Sequence, residues 1–199
     1  MIQSMDGGRL PKNTNYILIE PHQDDLALFA SFICLRLKPF IISVTDGTQH
    51  FEKFGIPIET RREESRQAAH ILGCDIRFLG IPDTEDIQKI DLPKGTIISP
   101  AFQGGNHHHD QLSRYGDIHY SSYAKGDLTP GMEDGFAIRP TQSEESTKEK
   151  ALACYKSQHD INKEHFEAVR GHPEYISFKK GLLTASIRKA LLLDPEIPG

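Results

Sequence analysis

YILIE-PHQDD-LALFASFICLRL, residues 16–37, is the stretch whose reading decides the fold. Residues 16–20 are an apolar, β-branched run of strand length. Residues 21–25 are polar and turn the chain sharply. Residues 26–37 are apolar on nearly every side and read as a helix packed on a sheet. Working outward, the alternation continues. Residues 40–45 (FIISVT) form a second strand that stops at Asp46-Gly47. Residues 59–72 (ETRREESRQAAHIL) gather Ala68, Ala69 and Leu72 among charges, an amphipathic helix closed by Gly73 as its C-cap. Residues 76–79 (IRFL) form a third strand, ended by Gly80 and Pro82, and residues 96–99 (TIIS) a fourth, ended by Pro100. Near-continuous apolar strands alternating with helices describe a parallel sheet covered on both faces.

Past the fourth strand the signal weakens. Residues 112–142 have little periodicity and several Gly and Pro residues, and read as a loop insertion over the active-site end. Residues 143–158 read as a helix with Ser143 as N-cap, followed by a strand at 175–178 and a final helix near 182–193. The whole chain, 1–199, is expected to be one α/β domain, Rossmann-like and three-layered, with a mainly parallel sheet and its site at the carboxyl ends of the strands. A domain of this length builds a core without staples, so a metal here points to function. The net charge of -5 offers no grip for nucleic acid. Cys34, Cys74 and Cys154 are widely spaced, form no metal clamp or disulfide framework, and suit a reducing cytoplasm. The N-terminus carries no signal-peptide pattern, and no apolar stretch approaches the ~20 residues of a membrane span. A cytoplasmic protein acting on a small molecule is expected, with a homo-oligomer left open.

Chemistry concentrates in the turns. PHQDD follows the first strand, DGT the second, and AFQGGNHHHDQ the fourth. In open parallel sheets such turns converge on one crevice. Adjacent side chains in a sharp turn diverge, so Asp24 and Asp25 are expected to divide two roles, one ligating a metal and one facing its water. His22 and Asp25 supply nitrogen and oxygen ligands, a set that suits zinc. A catalytic zinc takes three protein ligands and keeps one position open. The third ligand then comes from another strand end, where His107, His108 and His109 are the donors. The bland alternatives are a helix cap with a solvated charge pair at PHQDD, and a surface cluster at HHH. The aromatic and polar residues Tyr115, His119, Tyr120 and Tyr123 either pack the insertion or stack on a sugar.

PHQDD resembles the HPDD signature of the LmbE/PIG-L-type metal-dependent N-deacetylases. VTDGT (44–48) is similar to that family's second-strand TDG, TRREESRQAAHILGC (60–74) to its Arg- and Ala-bearing helix, and FLGIPD (78–83) to its PD turn. QGGNHHHD (103–110) aligns with its GGHPDH element, and YKSQ (155–158) with YxSQ, so the ordered matches run from residue 16 to 158. The resemblance implies that His22, Asp25 and His109 bind the metal and that Asp24 is the general base. It implies substrate contact for Arg61, support of the metal loop by the Asp46 turn, and a structural role for YxSQ. Zinc is the expected ion, although such a ligand set also takes Fe(II), Mn(II) or Co(II). The implied reaction removes an acyl group, usually acetyl, from an amino-sugar amide.

Departures from the pattern are specific. Gln23 stands where the family has Pro, and Leu26 where it has Glu. Asn106 replaces the first His of HPDH, and His108 its Asp. An asparagine can hydrogen-bond an oxyanion but cannot deliver a proton. His107 or His108 is therefore the candidate to take that duty from a shifted position, with Asn106 as oxyanion donor and His107 as a substrate contact. The rival readings are a non-catalytic member that binds a sugar-like ligand, another metal-dependent hydrolysis on the same scaffold, and a metal-free nucleotide module. The last lacks a GxGxxG turn or a P-loop.

Overall fold

The computed structural model describes residues 15–122, 135–170 and 172–191. The elements are β1 (Tyr16–Glu20), α1 (Asp25–Phe29), α2 (Ser31–Leu37), β2 (Phe40–Thr45), α3 (Thr48–Phe54), α4 (Ile58–Leu72), β3 (Ile76–Ile81) and β4 (Thr96–Pro100). They continue with α5 (His107–Ser113), β5 (Ile118–Tyr120), β6 (Phe136–Ile138), α6 (Gln142–Leu152), α7 (Lys156–His159), α8 (Lys163–Ala168), β7 (Glu174–Phe178) and α9 (Ala185–Leu191). The sheet order is β3-β2-β1-β4-β5-β7-β6. The first five strands are parallel, and β7 runs antiparallel to both β5 and β6. The expected Rossmann-like α/β domain is what forms.

Alternation along the strands sends successive side chains to opposite faces. Leu18, Ile41, Ile98, Ile118 and Tyr120 join one core with α1, α2, Ala68, Ala69 and Leu72 of α4, and Ala151 and Leu152 of α6. Ile17, Ile19, Ile42, Val44 and Ile97 join the other, whose cover is Ile87, Ile90 and Leu112. The second face is therefore roofed by the irregular segment 82–95 and by α5. Strand order reverses between β1 and β4, which lie side by side. The loops that follow these two strands flank the crevice of a doubly wound sheet. That adjacency brings residues 22 and 109 together.

Four expectations need correction. The helix read over 26–37 is broken at Ala30 into α1 and α2. Glu174 Oε2, from β7, accepts the backbone N–H of Phe32 at 2.8 Å and of Ile33 at 3.4 Å, while Lys148 Nζ donates to the Leu28 carbonyl and to Glu174 Oε1. A buried ion pair thus satisfies the backbone groups that the break exposes. The insertion read over 112–142 holds β5 and β6, which extend the sheet, and the last turn of α5; residues 123–134 lie outside the described residues. The helix read over 143–158 is capped by Thr141, not Ser143, in a reciprocal pair with Glu144. It ends at Leu152 because Glu64 of α4 accepts both Ser157 N–H (2.7 Å) and Ser157 Oγ–H (2.6 Å), pulling YKSQ into the separate α7. Finally, α9 starts at Ala185, where Thr184 Oγ1 accepts the Ile187 N–H; residues 192 and 193 lie outside the described residues.

Candidate metal centre

The chain leaves β1 at Pro21 and folds PHQDD directly into α1. Asp25 Oδ2 accepts the His22 N–H at 2.8 Å, and the Asp24 carbonyl accepts the N–H groups of Ala27 and Leu28. These bonds splay the two aspartates apart, as adjacent side chains in a turn must be. Glu20, fully buried at the end of β1, accepts the Leu26 N–H at 2.8 Å and ties the far side of the turn. Burial, reinforced by Asp25, pushes the Glu20 carboxyl well above the usual range. Gln23 Nε2 donates to the Asp46 carbonyl at 3.0 Å, so the residue replacing the expected Pro links the first loop to the second. Gly47 is needed there. Its φ is +80°, and a Cβ would lie 2.9 Å from Arg61 Nη1 and 3.0 Å from Gln23 Oε1.

From the other side, Asn106 caps α5, its Oδ1 accepting the N–H groups of His108 (3.0 Å) and His109 (3.5 Å). Asp110 Oδ1 accepts from Gln103 N and Gly104 N and closes the loop before the helix. His109 is thereby set on the buried face of the first turn of α5.

His22, Asp25 and His109 meet. His22 Nδ1 lies 3.4 Å from Asp25 Oδ2, His109 Nε2 lies 3.2 Å from the same oxygen, and the two nitrogens are 3.3 Å apart. A tetrahedral ion with bonds of about 2.0–2.1 Å spaces its ligand atoms by roughly 3.3 Å. Asp25 Oδ1 is buried without a hydrogen-bond partner, an orphan that a cation would satisfy. His109 Nδ1 sits 2.8 Å from Ser122 Oγ, the anchoring that ligating imidazoles use. The residues fit a divalent metal ion, and this is the His/Asp/His group that could hold one among the described residues.

Burial raises the Asp25 carboxyl, but the His109 charge and the hydrogen bonds from His109 and His22 outweigh it and hold the group below the usual carboxylate range. Burial lowers His22, but its hydrogen bond to Asp25 and that residue's charge prevail, so its imidazole is raised. His108 is lowered, by burial and then by His22.

The remaining sequence candidates surround the triad. Asp24, Arg61, Asn106, His107 and His108 line, with His22, one open polar cleft of about 610 Å³. Arg61, 1% exposed, places Nη2 3.4 Å from Asp24 Oδ1 and Nη1 3.2 Å from His50 Nδ1. His107 lies on the exposed rim, 2.6 Å from Asp86 Oδ1. His108 joins His22 Nε2 to the Glu85 carbonyl. Asp83 of the PD turn also lines the cleft; sequence reasoning missed Gln49 and His50 of α3, residues 84–86, Asn162 and His165, which complete the walls. Only nearness of Gln49 and His50 to DGT signalled any of them. Tyr115, His119 and Tyr120 pack instead: Tyr120 is fully buried with its hydroxyl donating to the Ile19 carbonyl, Tyr115 bonds the 88–90 backbone, and His119 faces Ser99. Tyr123 lies outside the described residues.

A doubly wound sheet with a His–Asp–His cluster at its switch point defines a Rossmann-like α/β protein whose cluster, beside a polar cleft, could hold a metal. The model of the PIG-L family, GlcNAc-PI de-N-acetylase, matches residues 17–119, just over half of the chain and all three cluster residues, and the chain belongs to this family. No curated protein matches the sequence. Among solved structures, the fold is similar to the conserved protein TT1542 from Thermus thermophilus (TM-score 0.63, 20% identity, covering 86% of this chain and 97% of that one). It is also similar to GalB, the 4-carboxy-2-hydroxymuconate hydratase from Pseudomonas putida (0.62, 14%, 85% and 97%). A third likeness is the N,N'-diacetylchitobiose deacetylase from Pyrococcus horikoshii (0.58, 17%, 86% and 86%).

Proposed function

We propose that this chain is a zinc-dependent hydrolase that removes an acyl group, acetyl in the first instance, from the amide nitrogen of an amino-sugar conjugate. The observation that carries the reading is the triangle of His22 Nδ1, Asp25 Oδ2 and His109 Nε2, with edges of 3.2–3.4 Å, opening beside Asp24 into the cleft. Membership of a de-N-acetylase family supports the bond cleaved, and the diacetylchitobiose deacetylase of like fold supports an amino-sugar substrate.

A divalent ion held at the triangle supplies an acidified water and a polarised carbonyl. The protein supplies the proton traffic. Asp24 lies in the cleft with its carboxylate held toward Arg61 Nη2. It takes the proton of the attacking water and returns it to the departing amine. Arg61, buried and braced by His50, orients that carboxylate and offers a cation to the released acid. Asn106 has committed its Oδ1 to the α5 cap, so its amide N–H group is the part left to donate to an oxyanion. His107, on the rim beside Asp86, is placed to touch the part of the substrate remote from the amide. Three free cysteines fit a cytoplasmic setting, and no helix among the described residues is long and apolar enough to cross a membrane.

A second reading has its own observation. Asn106 occupies the position of a proton-donating His, and GalB, of like fold, is a hydratase. A diverged reaction, or ligand binding without turnover, is its content. Acetate release over a panel of N-acetylated amino sugars separates the two. In the hydrolase, Asp24→Asn keeps stoichiometric zinc and loses about 10²–10⁴ of turnover. Unchanged turnover in that variant, or zinc-loaded wild type inert across the panel, defeats the reading.

A further inference from the structure

His22 has two ring nitrogens, and in the neutral ring only one carries hydrogen. A metal needs the bare one. Nδ1 is the nitrogen facing the triangle, 3.4 Å from Asp25 Oδ2 and 3.3 Å from His109 Nε2. Nε2 points the other way, 3.3 Å from Nδ1 of His108. The second nitrogen of His108, Nε2, lies 3.1 Å from the backbone carbonyl of Glu85.

We infer that His108 is a positioning residue for the metal centre, transmitting the hydrogen-bond polarity of the Glu85 carbonyl to His22 and so presenting the bare Nδ1 of His22 to the ion. This role rests on the proposed metal site. The polarity is fixed at the Glu85 end. A carbonyl oxygen only accepts, so His108 Nε2 carries the hydrogen and the Nδ1 of the neutral ring is an acceptor. With an ion at the triangle, His22 Nε2 donates to His108 Nδ1 and His22 Nδ1 turns its lone pair inward. Without an ion, Asp25 Oδ2 is a second acceptor, 3.4 Å from Nδ1, that competes for the same hydrogen, so the relay acts in the metal-bound chain. His109 has no such fixed end on its Ser122 side, since a hydroxyl both donates and accepts. The role also accounts for the residue at 108. The family resemblance places Asp there, whereas an imidazole can be acceptor on one side and donor on the other, the two contacts this wall requires.

The test reads hydrogens and metal separately from turnover. Long-range ¹H–¹⁵N spectra of the histidine-labelled, zinc-loaded chain, taken above the histidine titration range, report which nitrogen is protonated. The expected result is Nε2–H on both His22 and His108. In His108→Leu, His22 Nε2–H loses its acceptor and the zinc dissociation constant rises about 10- to 100-fold. His108→Asn returns an acceptor oxygen near the Nδ1 position and recovers most of that loss. Nδ1–H on His108 in the zinc-loaded wild type, or wild-type zinc affinity in His108→Leu, overturns the inference. If His108→Leu does not fold, the wild-type tautomers decide alone. A chain that binds zinc through this arrangement yet releases no acetate defeats the proposed reaction and leaves the relay standing. A chain that binds no zinc overturns both.

Discussion

Replacing Lys148 with methionine removes a charge that the fold has enclosed. Lys148 is 3% exposed and Glu174 4%. The ammonium sits 3.0 Å from Glu174 Oε1 and 3.1 Å from the Leu28 carbonyl, while the other carboxylate oxygen caps α2 through Phe32. Methionine keeps most of the volume beside Phe32 but leaves the Glu174 carboxyl buried and without its cation. Breaking a buried pair from one side costs about 3–5 kcal/mol. That is a large part of the roughly 5–15 kcal/mol that holds a domain together. For a chain of this length it lowers Tm by about 6–20 °C. Urea unfolding followed by far-UV circular dichroism, with calorimetry alongside, measures both quantities. Adding Glu174→Gln to the Lys148→Met chain removes the stranded carboxyl yet keeps an oxygen for the Phe32 N–H, so at least ~1 kcal/mol returns. A Lys148→Met chain that loses less than ~1 kcal/mol, or a double variant weaker than the single one, refutes the account of the α1–α2 break.

Three further outcomes are expected. His109→Ala loses stoichiometric zinc, read by metal analysis of the dialysed protein; full occupancy would move the third ligand to His107 or His108. Because His22 is raised above the ordinary imidazole value, a proton competes with the metal there to higher pH than usual. Zinc affinity therefore falls as pH drops through that raised value, approaching about tenfold per pH unit, and competition titrations showing no pH dependence would contradict this. The Glu144 carboxyl, held by a two-pronged contact with Arg36, is lowered to about 2. Its folded value lies below its unfolded one, so its stabilisation is present above the ordinary carboxylate range and fades as pH falls toward 2. At neutral pH, Glu144→Gln costs on the order of 1–2 kcal/mol, and the difference from wild type vanishes in acid.

The parts of the fold legible in the sequence were those whose burial imposes a period or a run. β1, β2 and β4 read directly because buried apolar residues line both of their faces, and α4 because Gly73 closes it at φ +73°. α3 left no trace, since none of its residues is buried and no stripe could form. β5 and β6 have three residues each, too few for alternation to show. The break at Ala30 depends on Lys148 and Glu174, more than a hundred residues away, and no local pattern carries it. The cluster residues were legible for a different reason: each sits just beyond a strand, where polar residues interrupt an apolar rhythm. The surrounding walls were not, because Asn162 and His165 reach the cleft from a short helix and the turn before it, where no apolar period could build up.

Segment 82–95 serves two masters. Ile87 and Ile90 plug it into the hydrophobic layer beneath, while residues 83–86 form one bank of the cleft. Its hold on His108 is through a peptide carbonyl, which every residue type provides. Letters at 84 and 85, both exposed, can thus be exchanged over evolutionary time without disturbing either the floor below or the imidazole of His108. A scaffold arranged this way varies one bank of its cleft while leaving the His–Asp–His cluster in place.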